Sequence, residues 1–418
     1  MASRAALNQA PDDTGRRRRA KRARTPPCHG DADAPTTRSS GRRQRRRART
    51  CTSDWANLTA GPAAQIADLL LSHSLTDYVR FRAVCAAWRA CDDDPRARGA
   101  LDDDDRRFHP RRWIMLPLPF HSMSRRPFLN VSTGESIHVR IPDLYGRHYV
   151  LGSTAEGFLV LCRRDTLAVQ LLNPLTGQRA AADLPRVTTL LNVKAPPPRS
   201  RLNDLRVGGV GLAGGDLTVA LHYCGGYVIA VARPGDKCWP RLRVSGGVKS
   251  AMSFAGRFYC VTYDWNILVV EAAGNRQQPP RLAVAVDFGP GNGLAYNGEL
   301  QLVDNGGELI LVHVVCHPDG ESFSGKYTAY RVRLGTRSIE PMHGLGGRAL
   351  FMGSSRSLSM NARVSRSVRA DTVYKCSNYD KVSGRAKSVV AIDLLGRCIR
   401  IKFRREDVAY CLSSYVCA

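Results

Sequence analysis

Few residues of this 418-residue chain stand at spacings that could do chemistry. Gly209-Val-Gly211-Leu-Ala-Gly214 spells the glycine fingerprint of dinucleotide sites. That motif works only when a helix follows and offers its N-terminal amides to a pyrophosphate. Here Leu217-Thr-Val-Ala-Leu-His-Tyr223 follows and alternates like a strand, so the glycines read as a hairpin turn. Gly320-Glu-Ser-Phe-Ser-Gly325-Lys326 approaches a phosphate loop, but Tyr327 stands where a hydroxyl would ligate magnesium. The residues after it alternate too, and a hairpin is expected there. His313, Cys316 and His317 are metal-ligand types, yet on a strand the two histidines share a face and Cys316 points away. The sequence holds no GxSxG elbow and no recognisable pair of glycosidase carboxylates. No catalytic residue, metal or cofactor is assigned, and the chain is expected to bind and not to catalyse.

Binding has to be positioned by something, and composition divides the chain. The formal net charge is +26, from 62 Lys/Arg against 36 Asp/Glu. Residues 1–50 hold 15 basic against 4 acidic residues, so the charge is densest there. Residues 1–53 carry nothing periodic to bury and read as a disordered basic tail. Its two clusters are Arg16, Arg17, Arg18, Arg19, Lys21, Arg22 and Arg24, then Arg42, Arg43, Arg45, Arg46, Arg47 and Arg49. Such runs serve as nuclear import signals or hold nucleic acid non-specifically through phosphate charge. A solvated arm without a reader is the plain alternative. The N-terminal residues lack an apolar signal region, and no apolar run approaches the roughly 18–20 residues of a membrane span. A location in nucleus or cytoplasm and no membrane partner are expected. The 13 cysteines show no CxxC pair and fit free thiols packed as small hydrophobes.

Residues 54–95 change character. Ile66, Leu69, Leu70 and His73 fall at helical spacing, and Phe81, Val84, Cys85 and Trp88 repeat it in a second helix. Ser74 to Asp77 separates the two, with Thr76 or Asp77 as the expected N-cap. Two short amphipathic helices cannot bury both apolar faces on each other, so a partner surface is expected. Residues 96–107 form an acidic linker. From residue 108 to 402 the period becomes two. A glycine followed by an alternating strand recurs at Gly157, Gly215, Gly256, Gly298, Gly347 and Gly396, at intervals of 58, 41, 42, 49 and 49 residues. Propeller blades repeat at roughly 40–50 residues. The expected fold is therefore mainly β: a six- or seven-bladed β-propeller, preceded by a small all-α module and the tail, and followed by a C-terminal segment, 403–418.

Leu58, Ile66, Asp77 and the ending Arg80-Phe-Arg-Ala-Val84-Cys85-Ala-Ala-Trp88-Arg89 resemble the F-box. Downstream, Gly152-Ser-Thr-Ala-Glu-Gly157-Phe-Leu-Val-Leu161, Leu172-Asn-Pro-Leu-Thr-Gly177 with Leu184-Pro185, Val303-Asp-Asn-Gly-Gly-Glu-Leu-Ile-Leu311 and Leu345-Gly-Gly-Arg-Ala-Leu-Phe-Met-Gly353 resemble plant F-box proteins with a KIB-type propeller. The resemblance implies a substrate receptor of a Skp–cullin–F-box ubiquitin ligase. Leu58, Ile66, Leu69, Leu70, Val84 and Trp88 would meet the Skp-type adaptor, and through it the cullin, while the propeller holds a target protein. Packing of these residues on the chain's own propeller is the alternative. Thr59 replaces the proline usual in F-boxes, and Gly61-Pro62-Ala63 replace acidic and apolar residues. The loss of one leucine-sized contact, about 1.5–3 kcal/mol, lowers the expected adaptor affinity about tenfold or more.

Overall fold

The computed structural model describes residues 58–417 except 92–93, 95–105, 118–124, 143, 192–206, 215–216, 224–225, 273–277, 290–297, 317–324, 354–355, 381–384, 395–396, 400–403 and 405–406. Contacts divide the chain into Met1–Ser53 and Asp54–Ala418. The basic clusters of the tail, most of the acidic linker, and His317 lie outside the described residues.

Helix α1 (Ala60–His73) starts at Thr59, with Pro62 in its first turn, where the missing N–H would have no intrahelical partner. Helix α2 (Leu75–Val84) is capped by Ser74, whose hydroxyl accepts from the Asp77 N–H at 3.3 Å. The cap thus lies two positions before the expected Thr76 and three before Asp77. The second expected helix is also interrupted. Cys85 is extended, at φ −154° and ψ 171°, and its sulfur caps a separate short helix, α3 (Ala86–Ala90). The break stacks Trp88 on Phe81 with centroids 4.5 Å apart, and the Arg89 Nε donates to the Arg82 carbonyl at the end of α2. These tertiary contacts outweigh the helical periodicity across Cys85.

Six antiparallel or mixed sheets follow among the described residues. The first is β1 (Trp113–Met115), β2 (Arg125–Asn130) and β3 (Ser136–Arg140); helix α4 (Leu144–Arg147) leads to the second, β4 (His148–Ser153), β5 (Leu159–Arg163) and β6 (Val169–Leu172). Helix α5 (Val187–Leu191) precedes the third, β7 (Val207–Leu212), β8 (Val219–Tyr223), β9 (Val228–Ala232) and β10 (Arg241–Arg243). The fourth is β11 (Val248–Phe254), β12 (Arg257–Thr262), β13 (Asn266–Glu271) and β14 (Arg281–Asp287). The fifth is β15 (Glu299–Asp304), β16 (Leu309–Cys316), β17 (Gly325–Arg333) and β18 (Ser338–Met342). The sixth holds β19 (Arg348–Met352), β20 (Ser357–Asn361), β21 (Thr372–Asp380), β22 (Arg385–Asp393) and β23 (Cys398–Ile399), in the order β20-β19-β21-β22-β23, with β19 parallel to β21. Helix α6 (Val408–Cys417) ends the described chain. The fold is a six-bladed β-propeller preceded by short helices.

Strand alternation is what builds the ring. On β5 and the residue before it, Phe158, Val160 and Cys162 face the third blade, and Leu159 and Leu161 face the first. On β12, Phe258 and Cys260 face the third blade, and Tyr259 and Val261 the fifth. On β16, Leu309 and Leu311 face the fourth blade, and Ile310, Val312 and Val314 the sixth. Each strand thus serves two seams, because successive side chains leave opposite faces. The sixth seam closes the ring: Ile114, Leu116 and Leu129 of the first blade meet Ala349, Phe351 and Met360 of the sixth. Ala409, Leu412 and Val416 of α6 belong to this same core, so the C-terminal segment is part of the propeller's closure.

Among the described residues the recurring glycines mark blades two and four at one position and then lose the frame. Gly157 and Gly256 lie in the hairpin between the first and second strands of blades two and four, and Gly215 lies outside the described residues. In blade five that hairpin holds Gly306 and Gly307, both with positive φ, whereas Gly298 precedes β15 and Gly347 precedes β19; Gly396 lies outside the described residues. The dinucleotide-like glycines are not turn residues either: Gly209 and Gly211 lie inside β7. A Cβ on Gly209 would collide with the Ala251 carbonyl, and one on Gly211 would lie 2.5 Å from Ser253 Oγ. Glycine lets the innermost strands of blades three and four approach that closely.

Cysteines depart from the expectation at one pair. Cys376 on β21 and Cys417 on α6 form a disulfide across 41 residues of sequence. Cys162 and Cys260 behave as expected of small hydrophobes: burial pushes both thiols up to about 12.

Candidate functional site

Two surfaces stand out, one on the helices and one on the propeller axis. In the helical module the buried residues are Ala63, Ala67 and Leu71 of α1 with Leu75, Tyr78 and Phe81. The inward face of α1 is thus an alanine-rich stripe, one position removed from the Ile66/Leu69/Leu70 stripe read from the sequence. Ile66, Leu69 and Val84 turn outward, at 37%, 62% and 62% exposed. They are three of the seven exposed large apolar residues among those described. A short module carrying that share has an apolar surface that its own core does not use. Leu58, Leu70 and Trp88 are half-buried against the module's core, which also receives Leu175 from the loop after β6. The six sequence-derived adaptor residues therefore divide into three outward-facing and three that pack within the module.

The module is moored on blades one and two. Arg80 bridges Asp77 and Glu135, and Arg107 pairs with Asp68 at 3.2 Å. Buried Asn173 folds the Leu172-Asn-Pro-Leu-Thr-Gly177 turn by accepting from the Leu175 and Thr176 amides, and donates to the Phe108 carbonyl at 2.9 Å. Trp239 donates its indole N–H to the Pro185 carbonyl at 2.9 Å, so the Leu184-Pro185 segment is fixed against blade three.

The propeller axis encloses a cavity of about 680 Å³ lined by β1, β4, β7, β11, β15 and β20. Four arginines, Arg111, Arg112, Arg348 and Arg356, line it, against the single carboxylate of Asp304. Tyr415 of α6 reaches into the lining and shares a hydrogen bond with Ser153 at 2.9 Å. Sequence reading missed these arginines, since they come from segments more than 230 residues apart, each ordinary in its local context.

Beside the cavity, Glu156 is buried in the β4–β5 hairpin, and its Oε2 meets no hydrogen-bond donor among the described residues. Burial raises its pKa above the ordinary 4.5, opposed by its own backbone N–H and by Arg111 and Arg106. A raised folded-state pKa means that its contribution to stability is fully present below the unfolded value and is lost as pH rises through the folded one. Glu156→Gln is therefore expected to raise stability at pH 8 by about 1–2 kcal/mol. The gain should vanish below pH 4.5, and thermal unfolding at the two pH values measures it. An equal gain at both would show that ionisation of this carboxyl is not the cause.

At the opposite end of the blades, the hairpins joining second to third strands expose Tyr227 and Tyr263, at 61% and 58%. The two rings flank Gly247, and the Lys249 ammonium lies 4.8 Å from the Tyr263 ring centroid. No helix among the described residues is long and apolar enough to cross a membrane.

Several solved structures resemble the chain. Virginiamycin B lyase from Staphylococcus aureus is 9% identical over 52% of this chain and 62% of that one, with a TM-score of 0.29. AztD from Citrobacter koseri is 11% identical over 60% and 63%, with a TM-score of 0.29. The WD40 domain of SCAP from fission yeast is 9% identical over 68% and 60%, with a TM-score of 0.31. The chain spans less than two thirds of the length of each of these structures. No curated protein matches the sequence. The model of the KIB1-4 beta-propeller matches residues 128–394, from β2 to the end of β22 and well over half of the sequence. The chain belongs to the KIB1-4 beta-propeller family.

Proposed function

We propose that this protein is the substrate-recognition subunit of a Skp–cullin–F-box ubiquitin ligase and contributes binding alone, ubiquitin transfer belonging to other subunits. The observation that carries this reading is the outward apolar set Ile66, Leu69 and Val84 on an F-box-like module moored to a propeller. The propeller supports a protein-binding role. In this reading the adaptor covers the apolar set, and the target engages the propeller end that presents Tyr227 and Tyr263. Large aromatic side chains of this kind commonly anchor protein interfaces. The basic clusters of the tail, Arg16–Arg24 and Arg42–Arg49, would direct the chain to the nucleus. They also motivate a second reading, a nuclear nucleic-acid-associated protein whose binding falls steeply with salt.

Trp88 is a poor probe of docking, because it also stacks on Phe81 inside the module. Leu69 and Val84 are better ones, being exposed. The double variant Leu69→Asp, Val84→Asp should lose at least about 30-fold in adaptor affinity, as expected for two charges placed in an apolar contact. Circular dichroism and the melting temperature should stay within error of the parent. The measurement is co-precipitation of a Skp-type adaptor by the full chain, with cullin recovery as a second readout. Undiminished adaptor recovery by this variant would reject the surface, and a parent chain that recovers only nucleic-acid-binding proteins would favour the second reading.

A further inference from the structure

The charge balance around the axial cavity, which is partly open to solvent, is lopsided. Asp304 already accepts from the Gly307 amide and faces Arg348, whose Nε and Nη2 are held by Ser359. Burial lowers the Arg348 pKa and Asp304 opposes that shift, so a second anion would find this guanidinium only partly compensated. Arg356 has no ion pair and no side-chain hydrogen bond among the described residues; its guanidinium lies 5.3 Å from the Tyr415 ring centroid. Arg112, at the start of β1, is exposed, and its backbone is fixed by its carbonyl, which accepts from the Val131 amide at 2.8 Å. Arg111 beside it acts on Glu156, a carboxyl whose burial favours its neutral form. Arg112 and Arg356 thus show no carboxylate partner among the described residues, and Arg348 shares Asp304 with the Gly307 amide.

A cavity of this size matches a small ligand, whose usual sites run from about 300 to 1,000 Å³. Guanidinium forks select planar or tetrahedral oxyanions through paired N–H donors, and several around one cavity select a multiply charged one. We infer that the propeller axis binds a small molecule carrying two or more phosphate or carboxylate groups, held by Arg112, Arg348 and Arg356. The site is separate from the adaptor surface and does not depend on the ligase reading. It would place a small-molecule ligand in contact with Tyr415, and so with the helix that closes the ring.

The test is titration calorimetry at low salt with tripolyphosphate and, separately, citrate. The basic tail would itself attract polyanions, so the starting protein is the full chain with Arg16–Arg19 and Arg45–Arg47 replaced by Ala. This protein should bind one equivalent of tripolyphosphate, citrate or both, and the probe that binds identifies the anion class. In the same background, Arg112→Asn with Arg356→Gln should weaken binding roughly 30-fold or more. Asparagine is chosen at 112 because the backbone there has φ +68°, which Asn tolerates well. An unchanged melting temperature without ligand shows that the loss is not unfolding. Absence of binding of both probes to the tail variant, or equal binding by the double variant, would overturn the inference.

Discussion

Leu412→Asp is expected to abolish the folded state. Leu412 is fully buried on α6, in the core that joins the sixth blade to Ile114, Leu116 and Leu129 of the first. Truncating such a leucine to alanine costs about 2–5 kcal/mol, from lost transfer energy and the cavity left behind. A carboxylate there adds an unpaired buried charge, worth several kcal/mol more. The total approaches the roughly 5–15 kcal/mol by which domains are stable. Soluble yield and a cooperative circular-dichroism melt are the readouts. Leu412→Met, close in volume, should stay within about 1.5 kcal/mol of the parent. An aspartate variant that melts with the parent would mean that α6 merely lies against the ring and does not close it.

The second large effect concerns one glycine. Gly157 has φ +89°, and a Cβ there would collide with the Pro110 carbonyl. Gly177 has a similar φ of +76°, but a Cβ on it meets nothing within 4 Å. Gly177→Ala therefore isolates backbone strain, about 1–2 kcal/mol. Gly157→Ala adds a steric clash with backbone, which cannot rotate away, and should cost at least about 3 kcal/mol. Comparing the two melts separates strain from space, and equal losses would show that Pro110 yields. Because Pro110 belongs to the segment between the helices and the ring, the larger loss should also loosen the mooring of the module.

These contrasts explain what a sequence can reveal of such a fold. Period-two alternation was legible because each strand is buried on both faces and its neighbours demand opposite side chains, as with Phe258 and Tyr259. The glycine frame was legible at blades two and four and failed at Gly298, because the fifth blade places its turn at Gly306 and Gly307. The sixth blade departs further, with β20 running inward of β19 before the chain returns parallel to it. In the helices, apolar spacing identified Ile66 and Leu69 but not the direction they face. Ala63 and Ala67 take the inner side because small side chains allow α1 to approach the helices it packs on. The break at Cys85 carries no local signal, being held by the Phe81–Trp88 stack. Nor does spacing announce the Cys376–Cys417 pair or the axial arginines. Both are products of ring geometry, in which distant residues meet only after closure.

That closure has a consequence for synthesis. The first blade emerges early, yet its outer apolar face is fully covered only when Leu412 and Val416 arrive. Ribosomes add about 5–20 residues per second, so the interval from Leu129 to Val416 lasts about 15–60 s. Until the sixth blade is made, a nascent chain carries Ile114, Leu116 and Leu129 uncovered, together with the open side of whichever blade was made last, and α6 completes the cover. A message that stops short of codon 408 leaves the sixth seam without α6, and such a product would be a client for chaperones and proteases.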